Sequence, residues 1–167
     1  MKSITKTIIY LQMTALLLTT ALAGTAGAGK EKPFWGFIQA VETSVVQFPS
    51  LFVDGSGSGK ATHLGRFTMT YELEVNLLTL PFQTIGSGVF TAANGDMLFM
   101  DITGLGTPTE PGVNSIVEIH TITGGTGRFA GATGSFIRSY SLDLITGITC
   151  GSFEGTVVIH KEKHKKK

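Results

Sequence analysis

The sequence has a single cysteine, Cys150, so no disulfide bond can form within the chain. It also lacks an Asn-x-Ser/Thr glycosylation site, because Asn76, Asn94 and Asn114 are not followed by a hydroxyl residue at the third position. A domain of about 140 residues still folds without a disulfide, since it buries roughly two-thirds of its unfolded surface. We expect Cys150 to be a small buried hydrophobic residue rather than a nucleophile.

Patterns for metal, nucleotide or nucleic-acid binding are missing as well. The histidines form no His-x-His or His-x₃-His pair within the predicted fold; His160 and His164 have the second spacing but lie at a lysine-rich end. The string Gly125-x-Gly127-x-x-Ala130 fits a dinucleotide fingerprint, but a strand-like segment follows it instead of the helix that would hold a phosphate. No aromatic residue is interleaved with the lysines of residues 161–167. We therefore predict no metal, no cofactor and no nucleic acid.

One long apolar run is present, close to the N-terminus. Residues 1–6 are basic and residues 7–22 are apolar, and Ala21-Leu22-Ala23 provides the small-x-small pattern of a cleavage site. The apolar run has about 16 residues, fewer than the roughly 20 that span a bilayer. We predict a signal peptide over residues 1–23, with cleavage sites as late as residue 28 as alternatives, and a linker over residues 24–32. An exported protein without disulfides is more typical of a bacterial periplasm or extracellular space than of an animal secretory route.

Charged residues make up only 15% of the 167 residues, and their signs are unevenly distributed. Residues 161–167 contain five lysines and one glutamate, a net charge of +4, whereas residues 30–160 contain six Lys or Arg against eleven Asp or Glu, a net charge of −5. Such a tail is usually solvated. We predict that residues 161–167 are disordered and make a weak contact with an anionic lipid or polymer.

The remaining residues, 33–160, have the pattern of a β protein. Six apolar residues from Phe67 to Leu77 alternate with polar ones, a period of two that places one face of a strand in a core and the other in water. No ten-residue segment shows a helical period. Strand-like runs separated by turn residues cover 34–42, 45–53, 66–77, 80–92, 96–103, 114–123, 133–144 and 147–160.

Turn chemistry between these runs predicts the connections. Asp54-Gly55-Ser56-Gly57-Ser58-Gly59 is expected to be a flexible turn, and Asn94-Gly95 a type I′ hairpin with positive φ at both residues. Residues 104–112, with Pro108 and Pro111, are expected to form the longest loop, at the mouth of the fold.

Eight strands with short connections predict an all-β fold, an eight-stranded antiparallel up-and-down β-barrel of the calycin type. A two-sheet sandwich is the main alternative. Phe129 is the one large apolar residue in the glycine-dense segment 124–134, and we expect it to close one end of the barrel. Gly124, Gly125, Gly127, Gly131 and Gly134 would allow the tight backbone around it.

The segment from Gly124 to Gly134 resembles the Gly-Gly-Thr-Gly-x-Phe-x-x-Ala-x-Gly signature of the dirigent and allene oxide cyclase β-barrel superfamily. Residues 61–67 and 90–96 resemble segments of a widespread group of exported bacterial proteins. The first resemblance implies an eight-stranded barrel with an apolar cavity that acts on, or orients, reactive hydrophobic small molecules. It also allows a dimer or trimer. Catalytic positions of those families do not match this sequence beyond the glycine motif.

Glu118, His120 and Arg138 are the polar residues of most interest. If the face of their strand that carries Ile116 and Ile122 points inward, Glu118 and His120 lie inside the barrel as an acid and a base, and Arg138, in line with Phe136 and Tyr140, supplies a counter-charge. Burying an unpaired charge costs several kcal/mol, which is more than exposing two isoleucines costs. We therefore expect Glu118 and His120 to face solvent, as we do for Asp101 and Glu154.

Two classes of function remain open. The favoured one is a non-enzymatic exported barrel that binds a small apolar ligand or serves as an interaction module, with Phe129, Tyr71, Phe136 and Tyr140 at the cavity or barrel end. The alternative is a cofactor-free cyclase or isomerase that acts on a hydrophobic substrate in the cavity, with Glu118 or His120 as acid or base.

Overall fold

The computed structural model describes residues 29–160 as a closed barrel of eight antiparallel strands with up-and-down connections. Each strand pairs with the next along the chain, and the last pairs with the first. This confirms the predicted barrel and excludes the sandwich. The predicted signal peptide and lysine tail lie outside the described residues. The strands are β1 (Glu31–Gln47), β2 (Ser50–Ala61), β3 (Gly65–Asn76), β4 (Phe82–Ala92), β5 (Met97–Glu110), β6 (Val113–Gly125), β7 (Thr133–Asp143) and β8 (Ile148–Val158).

Strand β3 follows the predicted alternation. Phe67, Met69, Tyr71 and Leu73 are buried inside the barrel, whereas the polar residues between them point to solvent. At roughly 25 cal/mol per Å² of apolar surface removed from water, each such residue contributes about 1.5–3 kcal/mol relative to an exposed position. This strand therefore anchors one wall of the core.

The segment from Asp54 to Gly59 is not the flexible turn predicted above, because it forms the middle of β2. Its glycines point inward and its serines outward. Gly55, Gly57 and Gly59 pair directly with the large residues of β3, Tyr71, Met69 and Phe67. A Cβ on Gly55 would overlap the Tyr71 ring. The alternation of glycine with serine is therefore a strand pattern. Its inward glycines have no side chain, which leaves room inside the barrel for the large side chains of β3.

Two other boundaries differ from the prediction. The run from Val45 to Val53 contains a reversal of the chain at Phe48-Pro49, so its first residues end β1 and its last ones begin β2. Residues 104–112 are not a loop, since β5 continues to Glu110 with a pairing irregularity near Pro108. Proline is tolerated at such an irregular strand end because no ladder hydrogen bond is required of it there.

The Asn94-Gly95 turn joins β4 to β5 as predicted, but it is not of type I′. Gly95 has φ of 87°, whereas Asn94 does not have a positive φ. The backbone N–H of Ala92 donates to the Asp96 carbonyl, and the connection between the strands comprises four residues, 93–96. Longer hairpin connections of this kind need only one left-handed residue.

One end of the barrel is closed by the glycine-rich segment. A short 3₁₀ turn, Gly127–Phe129, follows β6 and places Phe129 in the core with 1% of its surface exposed. Arg128 lies over the Phe129 ring and donates to the Leu64 carbonyl, and it lies 3.6 Å from Asp96. Gly127 has φ of 52°, and a Cβ there would overlap the Asp96 carboxylate. Phe129 is thus a buried side chain of the connection between β6 and β7, at this end of the barrel.

The interior is divided into layers along the barrel axis. Next to the closed end, the rings of Phe34, Phe67, Phe90, Phe136 and Phe153 pack in edge-to-face, tilted and stacked pairs, with neighbouring centroids 4.4–5.9 Å apart. Such aromatic pairs add about 0.5–1.5 kcal/mol each beyond burial. Polar side chains occupy the middle of the barrel, and the far end is open. None of residues 29–160 forms a helix that is long and apolar enough to cross a membrane.

Cys150 is not the buried residue that the sequence suggested. Its side chain is exposed on the outer face of β8, and the neighbouring Thr149 points inward instead. The sequence from Ile148 to Gly151 is short and mixes apolar with polar residues, so its pattern does not show which face of β8 points inward. Asp101 and Glu154 are exposed, as expected.

Candidate functional site

A buried ion pair forms the centre of the polar layer. Glu118 on β6 and Arg138 on β7 are direct partners in the strand register, and their inward side chains bring Nη1 of Arg138 to 3.6 Å from Oε2 of Glu118. Arg138 also donates from Nη2 to Oγ1 of Thr149 at 3.1 Å, and its guanidinium lies 3.9 Å from the centre of the Tyr140 ring. The Nε and Nη1 atoms of Arg138 have no hydrogen-bond partner among the described residues.

The expectation that Glu118 and His120 face solvent is wrong. Their exposed fractions are 1% and 0%, and that of Arg138 is 0%. Val117 and Ile119 are instead about half exposed on the outside of the barrel. The energetic argument failed because it treated the buried charge as unpaired, whereas β7 supplies a cation directly opposite Glu118.

His120 connects this ion pair to the aromatic layer. Its Nε2 lies 2.9 Å from Oε2 of Glu118, its Nδ1 lies 3.3 Å from the Met100 sulfur, and its ring stacks on Phe136 at 4.6 Å. Burial lowers the pKa of His120 below its ordinary value of 6.5, against the influence of Glu118. Burial alone would raise the pKa of Glu118, but hydrogen bonds and neighbouring positive charge outweigh it, so this pKa is lowered. We conclude that Glu118 is ionised.

A second carboxyl group, Glu42 at the inner face of β1, lies beside this layer. The Tyr71 hydroxyl donates to its Oε1 at 2.7 Å. The Tyr140 hydroxyl donates to Oε1 of Glu118 at 2.9 Å and lies 3.5 Å from Oε1 of Glu42. Burial raises the pKa of both tyrosines, so the hydroxyls remain protonated donors. The two tyrosines thus link the two carboxyl groups.

Glu42 differs from Glu118 in its charge environment. Burial raises the pKa of Glu42 above its ordinary value of 4.5, and the nearby negative charge of Glu118 acts in the same direction. The Tyr71 hydrogen bond and the Arg138 charge oppose this rise without cancelling it. Glu42 is also only partly buried. It is therefore the acidic group of the layer that a molecule entering the barrel would meet.

The open end of the barrel contains a cavity of about 220 Å³. Its entrance lies among the β1–β2, β3–β4, β5–β6 and β7–β8 connections, at the end opposite Phe129. The polar groups of its lining include Glu42, Glu118 and Tyr140 at the inner end and Thr84 and Asn114 on the walls. The apolar side chains of the lining are Leu51, Val53, Leu73, Val75, Leu77, Phe82, Ile116, Leu142 and Leu144.

The structure places the four residues predicted for the cavity or barrel end in four different parts of the barrel. Tyr140 lines the cavity. Tyr71 lies in the polar layer and contacts the cavity residue Glu42 through its hydroxyl. Phe136 belongs to the aromatic layer, and Phe129 closes the opposite end. Of the three predicted catalytic candidates, only Glu118 lines the cavity. His120 and Arg138 contact the Glu118 carboxylate and are not part of the cavity lining.

Sequence reasoning missed Glu42 and Thr149. In β1 the inward residues are Phe34, Gly36, Ile38 and Ala40, followed by Glu42, and the outward ones include Trp35 and Phe37. Both faces are largely apolar, so periodicity does not identify the inner one. The small size of Gly36 and Ala40 was the usable signal, because small residues alternate with large ones inside a narrow barrel.

The outer surface of residues 29–160 has shallow depressions. One depression of about 580 Å³ is a shallow groove on the outer face of β2 to β5 that includes Asp54, Glu72 and Asp101. Among residues 29–160, no three His, Cys, Asp or Glu side chains converge in a way that could hold a metal ion.

Comparisons with known proteins bear on the fold. No family profile matches this sequence, and no curated protein sequence is significantly similar to it. Among solved structures, the chain is similar to the pterocarpan synthase dirigent protein GePTS1, with a TM-score of 0.57 and 15% sequence identity over 86% of this chain and 96% of the other. At this identity the likeness concerns the fold alone. The protein has a dirigent-like β-barrel with a buried aromatic core.

Proposed function

We propose that this protein binds a small, largely apolar molecule in the open end of its barrel. The observation that carries the proposal is the combination of an apolar cavity of about 220 Å³ with a small group of polar atoms at its inner end. Ligand sites are usually concave and apolar, with a few polar groups that fix orientation. An engineered apolar cavity of about 150 Å³ is enough to bind benzene, so this one accommodates a molecule with a single ring.

A cavity-filling variant tests the proposal. We expect Val75→Phe to place a ring in the cavity and to abolish the binding of single-ring compounds, measured by chemical-shift titration of the backbone amides. Ile85→Phe, which adds the same ring on the exposed outer face of β4, serves as the control and should bind normally. If no single-ring compound shifts the amides of the cavity residues in the unaltered protein, the proposed binding function is wrong.

A second candidate function is cofactor-free acid–base catalysis of the isomerase or cyclase kind. It is favoured by the position of Glu42, whose pKa is raised by burial, at the inner end of an apolar cavity. A carboxylate whose pKa moves toward neutrality is a better general base. Glu42 would remove a proton next to a substrate carbonyl and return it at another carbon, and the Thr84 hydroxyl or the Asn114 amide would stabilise the negative oxygen formed meanwhile.

The isomerisation of 3-cyclohexenone to the conjugated 2-cyclohexenone tests this candidate, since the ketone is small enough for the cavity. The reaction moves one proton from the carbon next to the carbonyl to the far alkene carbon and needs no oxidant. We expect ultraviolet absorbance of the conjugated ketone to rise faster with the protein than with Glu42→Gln. Equal rates for both proteins would eliminate Glu42 as a base.

A further inference from the structure

Glu42 is a carboxyl group without a cation of its own. Arg138 is shared between Glu118, at 3.6 Å, and the Thr149 hydroxyl. The other lysines and arginines of residues 29–160 lie on segments at the closed end of the barrel, away from the cavity; they are Lys30, Lys32, Lys60, Arg66 and Arg128. When a ligand displaces water from the cavity, Glu42 keeps the Tyr71 hydrogen bond and the influence of the Arg138 charge, but none of residues 29–160 forms an ion pair with it.

The two tyrosine hydroxyl groups near Glu42 already donate hydrogen bonds to carboxylate oxygens. The Tyr71 hydroxyl donates to Oε1 of Glu42, and the Tyr140 hydroxyl donates to Glu118. Both tyrosine contacts of Glu42 are to Oε1, so Oε2 is available as an acceptor for a donor group of a ligand in the cavity that Glu42 lines. Thr84 and Asn114 on the walls are neutral, so they set no preference for the sign of a ligand's charge.

From this geometry we propose that the cavity selects a compact apolar amine, whose ammonium group binds Glu42 while its single-ring-sized body fills the apolar walls. This inference rests on the binding function proposed above and adds the chemical class of the ligand. A hydrogen bond between an ammonium and a carboxylate is about twice as strong as one between neutral groups. Glu42 is already partly desolvated in the folded protein, so the ligand removes only the water that still surrounds it.

The same arrangement disfavours anions. A ligand carboxylate at the inner end of the cavity would face Glu42 and Glu118 together, with Arg138 already paired to Glu118. Negative charges that share a small cavity of low dielectric constant repel each other strongly. A ligand of the same size without a polar group would bind through the apolar walls alone.

A series of four ligands of similar size tests this inference at neutral pH: toluene, benzyl alcohol, benzylamine and benzoate. Affinities are measured by chemical-shift titration of the purified protein. We expect benzylamine to bind at least about tenfold more tightly than toluene or benzyl alcohol, and benzoate to bind most weakly. In Glu42→Gln the preference for benzylamine should disappear, while the affinity for toluene should stay within about twofold. Glu154→Gln, which removes a carboxylate from the outer face of β8, should preserve the preference.

Lowering the pH gives an independent readout. Glu42 is faced by Tyr71, Glu118, Arg138 and Tyr140, and its pKa lies above 4.5 because of burial and the charge of Glu118. As the pH falls through this pKa, Glu42 takes up a proton and loses the charge that binds the ammonium. Benzylamine should therefore bind more weakly as the pH falls, whereas toluene binding should remain constant.

The outcomes separate this inference from the proposed function. If toluene or benzyl alcohol binds as tightly as benzylamine, or benzoate binds best, the amine preference is wrong but the cavity is still a binding site. A preference for benzylamine that survives in Glu42→Gln, or that is lost equally in Glu154→Gln, overturns the role of Glu42. If none of the four ligands binds, the proposed binding function fails as well.

Discussion

Replacement of Arg138 by methionine should be the most informative single change in the barrel. The variant keeps most of the side-chain volume but removes the cation that lies opposite Glu118 on the neighbouring strand. Glu118 then remains buried with only the His120 ring and the Tyr140 hydroxyl as polar partners. Removing one partner of a buried ion pair typically costs about 3–5 kcal/mol.

This cost is large compared with the total stability of a domain, about 5–15 kcal/mol. Replacing both members, in Glu118→Gln with Arg138→Met, removes the uncompensated charge as well as the pair. The double variant should therefore be less destabilised than Arg138→Met alone, since substituting a buried ion pair by neutral groups is often close to neutral in free energy. The two single costs should not add.

Urea denaturation followed by circular dichroism measures these free energies. In parallel, the imidazole signals of His120 report the local charge: the Arg138 cation is one of the causes that lower the pKa of His120, so Arg138→Met should raise it. A cost below about 1 kcal/mol, or a double variant as unstable as the sum of the single ones, would refute the claim that Glu118 and Arg138 form a coupled buried pair.

Three further predictions concern the closed end, the glycine positions and the acidic group of the cavity. Phe129→Ala should lower the free energy of unfolding by about 3–5 kcal/mol in urea titrations, because it opens a cavity at the sealed end; a loss under 1 kcal/mol would mean that Phe129 does not seal the barrel. Gly55→Ala should displace the Tyr71 ring and lower the melting temperature, whereas Ser56→Ala, which points outward, should not; equal effects would contradict the steric argument. Glu42→Gln should gain stability over the unaltered protein as the pH rises above 4.5, since a raised carboxyl pKa makes ionisation unfavourable in the folded state, and a difference that is the same at pH 4 and pH 8 would contradict this.

The local sequence was most informative where one face of a strand is apolar and the other is polar. In β3 the alternation that begins at Phe67 identified the strand and its inner face. The glycine-rich segment around Phe129 was equally clear, because positive backbone φ and a single large ring leave few structural options. The number of strands was predicted from all eight runs between turn residues, and the sealed end was predicted from the glycine-rich segment alone.

Sequence reasoning was least reliable where the choice of face depends on another strand. Glu118 and His120 are flanked by apolar residues on both faces of β6, and the inner face was decided by Arg138, twenty residues further along the chain. Glu42 was not predicted as a site residue, because the features that mark it are its hydrogen bond with Tyr71 on another strand and its place in the cavity lining. The serine–glycine run of β2 was predicted to be a turn, because the local sequence does not show that large side chains of β3 fill the space beside its glycines.

The amino-acid sequence by itself determined that the chain forms eight antiparallel strands and that Phe129 closes one end, because period-two alternation and left-handed glycines act over a few neighbouring residues. Only the tertiary structure decided which polar residues lie inside. Burial of Glu118, His120 and Arg138 is favourable only once their charges and hydrogen bonds are matched across strands, and that matching exists only after the barrel has closed.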